Sequence, residues 1–212
     1  MNTPGNSNMA SRSEHAGAAV DWQSRYLAGD TPWDKDAPHP ALLDFLKKTP
    51  LTGRVLVPGC GSGHDVRAIA SAGAAEVVGF DIAPAALQAA RAFPKGGGEE
   101  YVLGDFLAGD AKCLGPFDAI FEHTCFCAIP PTRRSDYVAA AADCLKVGGQ
   151  LFGIFFLNPD NQDPESPPFG SQMSEVLQFF GQKFDLLHRE TMIATFSGRE
   201  GREAFLRFRF RG

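Results

Sequence analysis

Three glycines and two aspartates stand at spacings that suit a nucleotide. Gly59, Gly61 and Gly63 fall within Val57-Pro58-Gly59-Cys60-Gly61-Ser62-Gly63, after a short β-branched run and before residues with helical spacing. Such a strand-to-helix turn lets the backbone approach a ligand and aims amide N–H groups and a helix N-terminus at polar or anionic groups. Taken alone, the turn is equally well explained by tight steric packing. Asp81 follows eighteen residues after Gly63, at the end of the next strand, where a carboxylate accepts ribose hydroxyls; its alternative role is to cap the helix before Pro84. Asp105, after a third strand, is placed to face an adenine amino group, with turn formation as its alternative. The three features occur in order at the ends of successive strands, and together they predict an adenosyl site.

Holding these groups requires strands that end along one edge of a sheet. Residues 54–57 form the first strand and 64–72 a helix closed by Gly73. A second strand over 76–82 is followed by a helix over 84–91 and a loop over 94–98. Residues 101–103 give a third strand, 117–121 a fourth, 133–145 a helix and 150–156 a fifth strand after Gly148-Gly149. Alternation at this spacing predicts an α/β fold, a parallel sheet with helices on both faces. Upstream, 21–28 and 40–48 read as helices, with Gly29-Asp30-Thr31-Pro32 breaking the first. Downstream, 158–170 holds Pro159, Pro164, Pro167 and Pro168 and reads as an irregular loop before a helix over 171–180. Residues 184–191 and 204–210 are strands with no helix between them, which predicts an antiparallel ending. In the last strand Arg207, Arg209 and Arg211 alternate with Phe208 and Phe210, giving a solvated face opposite a buried one.

Composition narrows the function classes. A chain of 212 residues with 44% hydrophobic content can bury one sizeable core. One domain is expected over 18–212, after a disordered leader over 1–17 rich in Asn, Ser, Gly and Ala. The net charge is −5 and Lys and Arg form no dense cluster, so nucleic acid is not an expected partner. No apolar run nears the roughly 20 residues of a membrane span, and the first residues are unlike a signal peptide. No membrane association is expected. Five cysteines, Cys60, Cys113, Cys125, Cys127 and Cys144, are an odd number in apolar surroundings and suit reduced thiols in a cytoplasmic enzyme. Cys125 and Cys127 form C-x-C, but no further Cys/His pair stands at metal-site spacing, and no metal is expected.

Four segments carry a more specific likeness. Trp22-Gln-Ser-Arg-Tyr26, Gly29-Asp-Thr-Pro-Trp33-Asp34, Leu56-Val-Pro-Gly-Cys-Gly-Ser-Gly-His-Asp65 and Phe121-Glu-His-Thr-Cys-Phe-Cys-Ala-Ile129 resemble the thiopurine S-methyltransferase superfamily, particularly its plant and bacterial halide/thiol methyltransferase branch. The resemblance covers about residues 20–210. It implies a Rossmann-like class I methyltransferase: a seven-stranded, mostly parallel sheet with an antiparallel last strand, helices on both faces and an N-terminal helical lid over about 20–50. It implies S-adenosylmethionine as cofactor, S-adenosylhomocysteine as product and a small-molecule methyl acceptor. Trp22, Tyr26 and Trp33 occupy family positions that contact the cofactor, and aromatic faces attract a sulfonium and stack on adenine. Ile82, Phe106 and Glu122 are expected to join the glycines, Asp81 and Asp105 in holding it. A monomer or weak dimer is expected.

Methyl transfer from a sulfonium needs the nucleophile in line behind the methyl group, so positioning and exclusion of water supply much of the catalysis. For a thiol the reactive species is the thiolate, and a nearby histidine helps to form it. His123, just past the fourth strand, is the candidate base or substrate-orienting residue. Thiopurine enzymes carry an arginine at the corresponding place and plant halide/thiol enzymes a tyrosine, so this chain departs from both. His39, Phe126, Cys127 and Phe156 complete the expected acceptor pocket, with Phe155 as a further candidate and the proline-rich segment as its lid. A mostly apolar pocket favours hydrosulfide, a small thiol or a halide. Methyl transfer to a nitrogen, oxygen or thiopurine acceptor is the near alternative. An NAD-dependent oxidoreductase would use the same turn and Asp81, but the antiparallel ending and aromatic lid speak against it. A non-catalytic adenosyl-binding module would bind cofactor without turnover.

Overall fold

Seven runs rich in Val, Leu, Ile and Phe pair into one sheet: β1 (Arg54–Pro58), β2 (Glu76–Asp81), β3 (Glu99–Leu103), β4 (Phe117–His123), β5 (Leu145–Phe156), β6 (Phe184–Glu190) and β7 (Glu203–Phe210). The computed structural model describes residues 20–161, 163 and 165–212. The expected leader at 1–17 and Pro164 lie outside the described residues. Strand order is β3-β2-β1-β4-β5-β7-β6. The first five strands pair in parallel, and β7 runs antiparallel to both β5 and β6. This is the Rossmann-like class I methyltransferase architecture.

Alternate residues of the strands feed two cores, one on each face. On one face Val57, Phe121, Phe152 and Phe205 pack against Leu42 of α2 (Pro40–Lys48) and Val66 and Ile69 of α3 (His64–Ser71). On the other, Leu56, Ile120, Phe155 and Phe208 meet Tyr137 of α5 (Arg134–Cys144) and Phe180 of α6 (Met173–Phe180). The Phe180 and Phe208 rings stack 4.8 Å apart. Helix α4 (Pro84–Arg91) follows β2 and buries Ala86, Leu87 and Ala90.

Two strands outrun their predicted ends. β4 continues through Glu122 and His123, so both are strand residues rather than loop residues. β5 begins at Leu145, because the Gly148-Gly149 pair is absorbed as an irregularity between β4 and β5 instead of breaking the strand. The last-strand arginines also differ from a simple solvated face. Arg207 lies over the Phe45 ring and donates to Gln150, whereas Arg209 and Arg211 pair with Asp185 at the surface. Among the described residues, no helix is long and apolar enough to cross a membrane.

Candidate active site

The strand order reverses between β1 and β4, and connections leaving in opposite directions open a crevice at the C-terminal ends of those strands. A cavity of about 670 Å³ lies there, lined by Gly59, Asp81, Ile82, Asp105 and Phe106 and roofed by Trp22, Tyr26 and Trp33. Its volume is within the range of roughly 300–1,000 Å³ usual for small-molecule sites. Gly59 and Gly61 take φ of 61° and 53°, a region costly for residues with a side chain. A Cβ on Gly61 would also stand 2.7 Å from Tyr26 Oη. Gly63 has a different neighbour: it packs beneath Tyr101 and does not line this cavity.

Asp81 bolts this turn to β2. The Gly61 N–H donates to its Oδ2 and the Ala83 N–H to its Oδ1, both at 2.9 Å. Burial pushes its carboxyl above the usual range, and these amide donors offset only part of that rise. Asp105 forms the turn, its Oδ1 accepting from the Leu107 and Ala108 N–H groups, and the residue also lines the cavity. Ile82 is half exposed, and its exposure is into this cavity.

The lid is α1 (Trp22–Ala28) and the chain that follows it. Asp21 caps the helix by accepting from the Ser24 N–H, and Gly29 ends it in the left-handed region. Trp33 Nε1 donates to Tyr26 Oη at 3.1 Å, and the Trp22 and Trp33 rings meet edge to face at 5.3 Å. Polar ties hold the lid down, among them a contact between His64 and Asp34 at 3.3 Å. The Ala85 N–H at the start of α4 donates to Gln23 Oε1, and the Ser62 hydroxyl in the glycine turn donates to Asp34 Oδ2 at 2.5 Å.

The far end of the cavity is formed by Cys127, Ile129 and Phe156, with Arg199 and Arg202 from the loop between β6 and β7. Of the predicted acceptor residues, Cys127 and Phe156 therefore reach the cavity. Phe126 does not; it packs against Tyr137, Phe155 and Phe180 in the core. Phe155 is also core. His39 is fully buried, because its ring caps α2 by accepting from the Ala41 N–H. His123 lines a second, smaller cavity of about 60 Å³ that shares Tyr26, Trp33, Gly59 and Thr124 with the first.

Arg199 was invisible to residue patterns but has a topological cause. Because β7 is antiparallel, its beginning rather than its end lies at the cavity edge of the sheet, with Glu203 opposite Phe156. The loop entering β7 is thereby delivered to the site. Arg199 Nη1 pairs with Glu203 Oε1 at 3.0 Å and its guanidinium lies over the Phe156 ring. Burial would raise the Glu203 carboxyl, but His39, Thr195 and Arg199 outweigh it and hold the group at about 2.

Behind the cavity, Glu203 Oε2 meets His39 Nε2 at 2.9 Å, and Asp65 Oδ2 meets His123 Nδ1 at 2.7 Å. The rings of His39 and His123 touch edge to face at 4.8 Å. His39, His123 and Glu203 are close enough together for a metal ion. The Ala41 N–H, however, claims the Nδ1 lone pair of His39, which puts its proton on Nε2, toward Glu203. That orientation suits a hydrogen-bonded pair and leaves no Nε2 lone pair for a metal.

Glu122 departs from its predicted role, because it is buried and lines neither cavity. Its carboxyl accepts from the Phe126 N–H and, at 2.5 Å, from the Tyr137 hydroxyl, which shapes the turn that carries Cys127. Burial pushes it up to about 7, with those donors compensating only partly. The folded state thus keeps this proton to higher pH than the unfolded state, and stability is lost as pH rises from about 4.5 through about 7. Glu122→Gln can keep both contacts without a charge. Urea unfolding is expected to show the variant gaining on the parent by up to roughly 3 kcal/mol between pH 5 and 8; parallel profiles would show that Glu122 does not titrate there.

The comparisons agree with this geometry. The family model for thiopurine S-methyltransferase matches residues 18–204. A probable thiol methyltransferase 2 from Arabidopsis thaliana is 36% identical over 159 residues, covering 73% of this chain and 68% of the relative. A thiocyanate methyltransferase 1 from Brassica oleracea is 34% identical over 188 residues, covering 84% and 81%. In fold, the N-methyltransferase NodS from Bradyrhizobium japonicum, solved with S-adenosyl-L-homocysteine, superposes with a TM-score of 0.68 at 16% identity, covering 90% and 97%. The chain is an S-adenosylmethionine-dependent methyltransferase and belongs to the thiopurine S-methyltransferase family.

Proposed function

We propose that this methyltransferase acts on a small, soft sulfur nucleophile, a thiol or hydrosulfide, with halide as a secondary acceptor. The observation that carries this reading is the far end of the cavity: apolar walls from Cys127, Ile129 and Phe156 interrupted by the Arg199 guanidinium. Apolar walls favour a weakly hydrated nucleophile, and a nearby cation favours its anionic form. Relatives named for thiol and thiocyanate fall in the same chemical class.

The residues fit the cofactor. Each Asp81 oxygen uses one lone pair on a backbone N–H and keeps another for a ribose hydroxyl. Ile82 and Phe106 offer apolar surface to an adenine, with Asp105 beside them, and Trp22, Tyr26 and Trp33 add aromatic surface, although Arg25 already lies over the Trp22 and Trp33 rings at 5.8 and 4.5 Å. When bound, S-adenosylmethionine supplies an activated methyl group. The lid excludes water, the cavity walls hold the acceptor in line, and His123, in the small cavity that adjoins the main one at Gly59 and Thr124, accepts its proton. The thiols that line the two cavities do not compete as nucleophiles. Burial pushes Cys127 up to about 12 and Cys60 and Cys125 well above the usual thiol range.

This reading takes residues 18–212 as one cytoplasmic domain, a monomer or weak dimer that works without metal or nucleic acid. Its test is kcat/KM across hydrosulfide, alkyl thiols, iodide, a thiopurine, amines and phenols. Sulfur acceptors are expected to lead; a faster amine or phenol would replace the reading with nitrogen or oxygen methylation.

A further inference from the structure

His123 sits among buried groups whose hydrogen bonds determine where its proton resides. The main-chain N–H of His39 donates to Asp65 Oδ1 at 2.8 Å, leaving Oδ2 for His123 Nδ1. Burial alone would raise the Asp65 carboxyl, but His123 and the His39 N–H outweigh it and keep the group below its usual range. An ionised carboxylate can only accept, so the His123 proton lies on Nδ1. His123 Nε2 then carries a lone pair, yet it is sealed from solvent and has no hydrogen-bond partner among the described residues. Leaving a buried polar atom unpaired is costly, and a proton donor from outside the chain would remove that cost.

The other charged and titratable neighbours are already committed. His39 donates to Glu203, which also accepts from Thr195 and Arg199. In the small cavity, Asp34 is taken by Ser62 and His64, and Lys35 Nζ donates to the Pro32 carbonyl.

We propose that Asp65 is a positioning residue that holds His123 with its proton on Nδ1, so that Nε2, closed off in the free protein, receives the S–H proton of an acceptor whose sulfur sits where the two cavities meet at Gly59 and Thr124. The inference rests on the thiol reading of the site. As the proton moves to Nε2, the S–H electron pair stays on sulfur, which bonds to the methyl carbon. The sulfonium C–S bond breaks with its pair kept by the departing S-adenosylhomocysteine. The imidazolium is stabilised by Asp65 and, within 4.8 Å, by the Glu203 carboxylate, and it returns its proton to solvent after product release.

The test is Asp65→Asn. The His39 N–H still needs an acceptor, so the amide oxygen faces it and the NH₂ faces His123, which drives the imidazole proton to Nε2. ¹⁵N spectra of histidine-labelled free protein are expected to show protonated Nδ1 in the parent and protonated Nε2 in the variant. Kinetically, kcat for 2-mercaptoethanol is expected to fall roughly 100-fold near neutral pH, while kcat for 4-nitrothiophenol, already ionised there, changes by less than about threefold. Equal falls on both acceptors would overturn the inference and leave Asp65 a structural role. Should the variant fail to fold, the parent spectrum still decides: a proton on Nε2 of His123 overturns the proposal. A parent enzyme inactive on every thiol would instead sink the thiol reading and this inference with it.

Discussion

Asp81→Ala is expected to weaken S-adenosylhomocysteine binding by at least roughly 100-fold in calorimetry, from hydrogen bonds to a charged group worth about 1.5–3 kcal/mol each. The size follows from the double duty of the side chain. Its two oxygens satisfy the Gly61 and Ala83 amides, so truncation frees the glycine turn from β2 as well as removing the ribose acceptor. Both amides would be left without their partner, so a lower Tm is expected alongside weaker binding. Asp81→Asn is expected to repair this only in part, because its NH₂ must face one of the two N–H donors. Binding within about threefold of the parent in both variants would show that the turn holds the cofactor without Asp81.

His123→Ala is expected to lower kcat for alkyl thiols by roughly 100-fold to 1,000-fold, the usual contribution of a general base, with cofactor binding nearly unchanged. The separation arises because His123 lines the small cavity rather than the main one that is assigned to the cofactor. Removing the ring also leaves the Asp65 carboxylate buried with one partner, so some loss of stability is expected and should be measured by thermal unfolding in parallel. The stability loss acts on every acceptor alike, whereas the proton-transfer loss spares acceptors that arrive ionised. An unchanged rate on alkyl thiols would remove His123 from the mechanism.

The fold was legible in sequence because its signals are local. Glycine turns, β-branched runs and helical spacing each occupy a few adjacent residues, and the missing helix before the last strand announced the antiparallel ending. Boundaries slipped where tertiary pairing overrode a local signal, as when Gly148-Gly149 became part of β5 rather than its start. The cavity wall proposed for the cofactor was legible for the same reason: Asp81 ends β2, Ile82 follows it, and Asp105 and Phe106 come just after β3. Gly61, Gly63 and Glu122 stand away from it, Gly61 lining the small cavity instead. Glu122 follows Phe121 in β4, and strand alternation turns it toward the Tyr137 side of the sheet.

The acceptor side was less legible because distant segments build it. Arg199 reaches the cavity through the direction of β7, and Asp65 meets His123 across 58 positions of sequence. Nothing near either residue in the sequence marks the partnership. His39 shows the converse: expected in the acceptor pocket, it spends its ring on a helix cap and on Glu203. The thiols of Cys125 and Cys127, suggestive as a C-x-C pair, are held by burial in their neutral form.

The most direct test of sulfur methylation is headspace mass spectrometry of hydrosulfide incubated with ¹³C-methyl S-adenosylmethionine and the full chain. The account predicts labelled methanethiol in step with S-adenosylhomocysteine. Cofactor consumed without a labelled sulfur product, or label appearing faster on a competing amine or phenol, would contradict it.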